Sequence, residues 1–468
     1  MRRRILLFSV PLLWGCANKS LTRFETVSQQ TASQDFLAAA HTVQKEHGLY
    51  GSNSELLYNM DVGILYHYAQ QYDSSIVYLQ KAVKIKDDLY ARSVTNEAAS
   101  LLVNDNVRPY RGKNYEITWL HLFLAFDYLA TRHFDDARVE VRQAEILLKE
   151  VNRKAGSDPK AYRDDGLFRT MAALIYEALG EKDDAVISLY QAVKAYQTAK
   201  QSVPASLARY AYAMLTANGR EDDVKELDLS PSGSETPSLG GSEIVVVGEM
   251  GRSPTLGETQ FWGTWVRDGV VVYNYTDANG NVVTGALPAP GLPESEYQKH
   301  GNTRSGTTVH VKWSMPSLQD VSSQSKTLRV AQGSGSYSGE SFVDTRQLLQ
   351  QDLDENHTSV LTRTIIRVVI RTLAAQKTKA ALNTDNPLIN LLTNVGTDVL
   401  ADQLEKADTR DCFLFPRTLQ IVRIPAKPGH YSLNLGAEDP NGRALRSETR
   451  EVDVKDGEKT FVFFTSLK

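Results

Sequence analysis

Small residues recur through the first half of the chain at helical spacing, twice in each unit, and that pattern leaves few folds open. Asn59-x-x-Val62-Gly63-x-x-Tyr66 is followed by Ser75-x-x-x-Leu79-x-x-Ala82. Leu124-Ala125-x-x-Tyr128 and Phe134 precede Ala137-x-x-x-Val141-x-x-Ala144, and Ala172-Ala173-x-x-Tyr176 and Gly180 precede Ala185-x-x-x-Leu189-x-x-Ala192. A weaker copy runs through Ala211, Leu215, Gly219 and Val224, and a half-copy lies in Phe36, Ala39 and Val43. Small side chains at two fixed places let paired helices approach closely. A hairpin that cannot bury its apolar face alone must stack on the next.

The pattern resembles the tetratricopeptide (TPR) repeat. Its register residues Ser75, Ala137, Ala185 and Val224 stand 62, 48 and 39 apart, against 34 in a strict array, so insertions lengthen it. The largest includes Asp87 to Lys113, with a helical stretch expected over Glu97 to Val103. Aromatic residues on the helices and insertion, Tyr66, Tyr110, Tyr115, Trp119, Tyr128 and Tyr176, are candidates for a partner-binding groove. The alternative is that they fill the core between helices.

A Ser/Gly/Pro-rich run over 229–242 reads as a linker that closes a helical domain at 16–228. Beyond it the pattern changes. Strands are expected at Ile244 to Val247, Val270 to Tyr275, Val282 to Leu287, Thr308 to Trp313 and Thr327 to Ala331, with Asn279-Gly280 turning a hairpin. Gly333 to Gly339 reads as a plain loop, and Phe342 to Leu353, Ser359 to Leu382 and Asn386 to Lys406 as helices. Four last strands, at Leu419 to Ile424, Tyr431 to Leu435, Ser447 to Val454 and Thr460 to Thr465, read as a small antiparallel sandwich-like module over 412–468, packing with the mixed region at 243–411. The fold class expected is therefore α+β multidomain: an N-terminal TPR-like α-solenoid, then a mixed α/β region ending in that β module.

In the Ser359 to Leu382 helix, Ile365, Ile366, Val369, Ile370 and Leu373 form one apolar stripe, and Arg363, Arg367 and Arg371 fall in a row beside it, extended by Lys377 and Lys379. Three stacked guanidiniums suit an anion. The alternative is a charged face pairing with Asp352, Asp354 and Glu355.

Met1-Arg2-Arg3-Arg4, the apolar run Ile5 to Trp14, and Gly15 before Cys16 read as an export signal over 1–15, outside the folded domains. Leu13-Trp14-Gly15-Cys16 resembles the lipobox of bacterial lipoproteins. That resemblance implies acylation of Cys16, and Ala17 after it implies an outer-membrane anchor facing the periplasm; a soluble exported protein is the alternative. Cys412 is the other cysteine of two, expected as a buried free thiol. No run of ~18 apolar residues offers a spanning helix. A net charge of −4 leaves no basic domain to bind nucleic acid. The nine histidines show no paired metal-ligand spacing, and no phosphate loop or nucleophile elbow is present, so neither cofactor, metal nor catalysis is indicated.

Leu56 to Gly63, Leu102 to Asp105 with Tyr110, Gly112, Tyr115 and Glu116, Asp136 to Arg142, the Arg363 to Lys377 helix, and Ala407 to Arg410 followed by Pro416 are similar to runs in a family of TPR-containing bacterial outer-membrane lipoproteins. The resemblance spans nearly the whole chain after Cys16. That family has no established activity; the lipobox, the repeats and the absent catalytic motifs together point to a non-enzymatic scaffold, anchored by lipid, that binds an envelope protein partner in cell-envelope or peptidoglycan assembly. Two other readings stand beside it: a lipid-handling or secretion accessory using the basic helix 363–379, and an envelope hydrolase gathering Asp408, Arg410 and His430.

Overall fold

The computed structural model describes residues 25–91, 105–156, 162, 164–230, 241–277, 279–292, 306–382 and 406–468. Cys16 and its leader, the expected helix at 97–103, the centre of the linker and the expected helix from Asn386 lie outside the described residues.

The repeats fold as expected into antiparallel helical hairpins. Helix α1 (Phe36–Lys45) leads to α2 (Glu55–Tyr68) and α3 (Tyr72–Ala91), then α4 (Asn114–Ala130) with α5 (Phe134–Ala155), α6 (Gly166–Ala178) with α7 (Lys182–Thr198), and α8 (Ala205–Ala217) with the short α9 (Glu221–Glu226). Gly63 makes the close approach in the first hairpin. A Cβ placed there would stand 2.5 Å from Leu79 Cδ2, and the bare backbone carbonyl accepts from Ser75 Oγ at 2.8 Å. Acidic Asp135 and Asp136 open α5 while Arg153 and Lys154 close it, matching the helix dipole.

The two helices of each hairpin differ. In α4 every residue from Tyr115 to Leu129 is buried, and α2 and α6 are buried nearly all round. In α3 only Ser75, Leu79 and Ala82 are buried, and in α5 one stripe from Ala137 to Val151. A stack of hairpins alone leaves one face of its first helices bare; here a β-sheet covers it.

That sheet has strand order β12-β1-β9-β8. It joins β1 (Glu243–Arg252), β8 (Glu340–Asp344), β9 (Pro416–Pro425) and β12 (Lys459–Ser466), with β1 parallel to β12 and antiparallel to β9. Val245 and Val247 of β1 join Phe461, Phe463, Leu419 and Ile421 in the helical core. Ile244 and Val246 point the other way, with Val422, Ile424 and Phe464, against a second sheet of order β11-β10-β6-β7. Burial on both faces explains why β1 lacks hydrophobic alternation. The second sheet comprises β6 (Thr327–Gln332), β7 (Gly335–Ser338), β10 (Gly429–Glu438) and β11 (Ala444–Val454).

The last strands therefore do not form an antiparallel module of their own, and β12 pairs parallel with β1. They are shared between two sheets whose other members come from 243–344, so pairing crosses the expected boundary at 411/412. Two further expectations are corrected. Gly333 to Gly339 is the turn and second strand of a hairpin, with Arg329 opposite Ser338. Phe342 belongs to β8, and one continuous helix, α10 (Thr345–Leu382), replaces the two expected.

A third sheet, β4-β3-β2-β5, holds β2 (Thr255–Val266), β3 (Val270–Thr276), β4 (Val282–Pro288) and β5 (Thr308–Gln319). The expected hairpin at Asn279-Gly280 is present, with Thr276 opposite Val282 and Asp277 Oδ1 accepting the Asn279 and Asn281 N–H groups. Trp265, Val309, Val311 and Trp313 meet Ile365, Val369, Ile370 and Leu373 of α10, the stripe read from the sequence.

Buried ion clusters join array to sheet. His67 of α2 lies between Asp127 of α4 at 2.6 Å and Glu249 of β1 at 2.7 Å, all three buried. Burial opposes the charged imidazole, but Glu249 and Asp127 outweigh it and raise His67 to about 10. Burial also raises Asp127, against the pull of His67. The charged imidazolium is the direction we adopt, because a carboxylate faces each ring nitrogen and both must donate. A second cluster sets Arg423 and Lys459 on Glu243, with Lys459 reaching Glu177 of α6 at 3.1 Å.

Candidate functional site

A cleft of about 1040 Å³ opens where the array, α10, β5 and the segment at 406–410 converge. Each wall has a local cause. The 105–113 loop is pinned by Arg410, whose Nη1 donates to the carbonyls of Asn53 at 3.2 Å and Arg108 at 3.0 Å, and whose Nη2 donates to the Asp105 carbonyl at 2.9 Å. Asp408 holds the same guanidinium at 2.8 and 2.7 Å. The entrance of α4 is fixed by Glu116, which accepts from the Lys113 N–H at 2.8 Å and the Cys412 N–H at 3.0 Å. Glu116 also accepts from the Tyr110 hydroxyl.

The lining carries seven Lys or Arg residues against four Asp, in a chain whose net charge is −4. Arg410 and Lys113 are matched by Asp408 and Glu116. Beyond them Asp105 lies 3.3 Å from Arg108 and 3.9 Å from Arg367, and Arg363 lines the same cleft. Burial lowers Arg108 below the ordinary arginine value; Asp105 opposes this, and the charges of Arg363, Arg367 and Arg111 lower it further. The Nε of Arg363 is buried with no hydrogen-bond partner among the described residues.

Two carboxyls near Lys113 are perturbed. Burial pushes Asp352 up to about 6 and Asp411 to about 7, with Lys113 pulling both down and Glu116 pushing both up. The site thus offers fixed cations, ionisable carboxyls and an aromatic wall from Tyr110. It suits binding of an anionic group. Among the described residues no cluster of His, Cys, Asp and Glu could hold a metal ion.

Of the sequence candidates, Tyr110, Arg363 and Arg367 come together here, whereas Arg371 is half-buried and does not line the cleft. Tyr115 and Trp119 are buried, with Trp119 Nε1 donating to Asp165 at 3.0 Å. Tyr66, Tyr128 and Tyr176 sit between helices. Their hydroxyls meet Gln44 at 3.1 Å, Gln80 at 2.8 Å and Glu145 at 3.0 Å. The proposed trio of Asp408, Arg410 and His430 is not assembled. Arg410 serves the loop, while His430 lies exposed on β10 beside Asp453 and Glu451. Cys412 is a buried free thiol, pushed well up by burial and then by Asp61 and Glu116.

Sequence reasoning missed Arg108, Arg111, Lys113 and Lys406 as lining residues. A signal existed for the first three: Arg108-Pro109-Tyr110-Arg111-Gly112-Lys113 packs three cations and an aromatic into six non-periodic residues. The His67 cluster had none, because its partners lie 60 and 182 residues away.

No family model matches the chain, and no curated protein matches it. Similar solved structures include the apo form of RapI, at 12% identity over 45% of this chain and 69% of that one, TM-score 0.32. Nearly identical TPR-like repeats from Podosopora anserina align at 18% identity over 45% of this chain and 91% of theirs, TM-score 0.30. MamA MSR-1 aligns at 12% identity over 45% of this chain and 97% of its own, TM-score 0.25. The TPR-like assignment rests instead on the hairpins themselves and the close packing at Gly63.

Proposed function

We propose that this chain is a non-enzymatic scaffold of the bacterial cell envelope, held to the outer membrane by lipid on Cys16, facing the periplasm, and docking a protein partner in the basic cleft. One observation carries the docking site. The first helices of the hairpins, which would otherwise offer a peptide-binding face, are covered by the chain's own sheet and the turn that enters it, with Phe126 against Phe463 of β12 at 5.0 Å and Trp119 against Phe415, just before β9, at 5.0 Å. The cleft beside the array remains as a large concave surface with convergent charge. The envelope setting rests on the lipobox and the family resemblance. No helix among the described residues is long and apolar enough to cross a membrane. Assembly of peptidoglycan or of another envelope machine is the process we assign.

A lipid-surface role for the basic helix is less well supported. Arg367 is 3% exposed and the neighbouring stripe packs on the third sheet, so a flat bilayer reaches little of the arginine row.

Photo-cross-linking in living cells tests the proposal. Photoreactive residues at Ser317 or His357, on the cleft wall, should each capture the same envelope protein, and Ile146 on the outer face of α5 should not. Capture from Ile146 alone would overturn the docking site.

A further inference from the structure

We infer that two copies of this chain associate edge to edge through β4, antiparallel about a two-fold axis perpendicular to the sheet, so that two third sheets become one. β4 is the outermost strand of its sheet, and among the described residues no strand pairs on its far side. Which main-chain groups face that side follows from the hairpin. The Asp277 N–H donates to the Asn281 carbonyl and the Ala289 N–H to the Gly269 carbonyl. With Thr276 opposite Val282, the odd-numbered residues of β4 are the ones that exchange hydrogen bonds with β3. The N–H and C=O groups of Val282, Thr284 and Ala286 therefore point outward, an unfilled template for another strand. Pro288, which has no N–H, ends the row.

The strand carries none of the devices that usually protect an edge. From Val282 to Pro288 it has no charged residue, no bulge, and no proline before its last position. Other edges of the same fold are guarded. β8 is bulged between Ser341 and Val343, and β7 is only four residues long. β11 carries Arg446, Glu448 and Arg450, and β5 carries Lys312 and Pro316.

A second copy suits this edge. Because β4 is uncharged, it meets itself with no like charges opposed, and two-fold pairing of identical surfaces is the commonest form of self-association. An axis at Thr284 sets Thr284 opposite Thr284 and Val282 opposite Ala286, and every outward N–H of both copies finds a carbonyl. The side chains fit as well. Val282 is 66% exposed, and Val272, which lies opposite Ala286 within its own sheet, is also exposed. The pairing brings each Val282 beside the other copy's Ala286, with that copy's Val272 one strand beyond, so an apolar row runs unbroken across the seam. A seam of seven residues is smaller than the roughly 1,200 Å² of a stable interface, so the association is weak and follows concentration.

The test is sedimentation velocity on the purified chain from residue 17 onward, from ~1 to ~500 µM, since self-association follows mass action. The average mass should rise toward that of two chains. Val282→Lys adds a charge to the edge and Thr284→Pro removes an outward N–H; each should weaken association by about tenfold or more. Ile187→Lys, at an exposed position of α7, should change nothing. Circular dichroism confirms that each variant is folded, and if Thr284→Pro does not fold, Val282→Lys decides alone. Bismaleimidoethane should link Thr284→Cys chains into dimers and leave Thr308→Cys chains, altered on the opposite edge strand, single. A chain that stays monomeric at the highest concentration would overturn the inference. So would a folded Val282→Lys that associates like the parent, or equal cross-linking from the two cysteine positions.

Discussion

Replacing His67 with leucine removes the cation between two buried carboxylates and should loosen the joint between array and sheet. The imidazole is held at about 10 against about 6.5 when unfolded. Each pH unit between those values is worth about 1.4 kcal/mol, so its charge contributes several kcal/mol at neutral pH. Breaking a buried ion pair costs about 3–5 kcal/mol by a separate route, because the carboxylates left behind are uncompensated. The sign follows from a raised folded value: the contribution is fully present below about pH 6.5, declines as pH rises, and is gone once pH passes about 10. Urea unfolding followed by tryptophan fluorescence should therefore show His67→Leu far less stable than the parent at pH 6 and much closer to it at pH 10. The triple variant His67→Leu, Asp127→Asn, Glu249→Gln should recover much of the loss at pH 6, since neutral groups tolerate the dry site. A single variant within about 1 kcal/mol of the parent at pH 6, or a deficit that does not shrink by pH 10, would refute the reasoning.

Gly63→Ala should lower stability by about 1–3 kcal/mol as overpacking against Leu79, read as a fall in melting temperature. Asp411, pushed up to about 7 by burial, penalises folding above its unfolded value of about 3.9; Asp411→Asn should raise the melting temperature at pH 8 and change it little near pH 4. Cys412 should resist maleimide at pH 8 in the folded chain and react once urea unfolds it. Cys16→Ser should abolish incorporation of labelled palmitate in cells; full incorporation in that variant would remove the anchor from the account.

The parts legible in the sequence were those coded locally. The hairpins announced themselves because small residues pair 12 positions apart within each one, Gly63 with Ser75, Ala125 with Ala137 and Ala173 with Ala185, although the hairpins themselves are unevenly spaced. The stripe from Ile365 to Leu373 was readable because one helix face carries it. The sheet partners were not. Nothing in Lys459 to Ser466 says that it lies parallel to Glu243 to Met250, more than 200 positions away. Arg363 and Arg367 were legible as neighbours on one helix face, and both line the cleft. The Arg108 loop reaches the same cleft only because Arg410 folds back onto it from a distant part of the chain.

Hydrogen exchange, on the chain alone and with its captured partner, tests the central claim directly. The account predicts that α2, α4 and α6 are strongly protected in the free chain and unchanged by the partner, while protection rises over 105–113, 314–318 and 350–367. Fast exchange of those first helices in the free chain, or new protection falling on them when the partner binds, would contradict it.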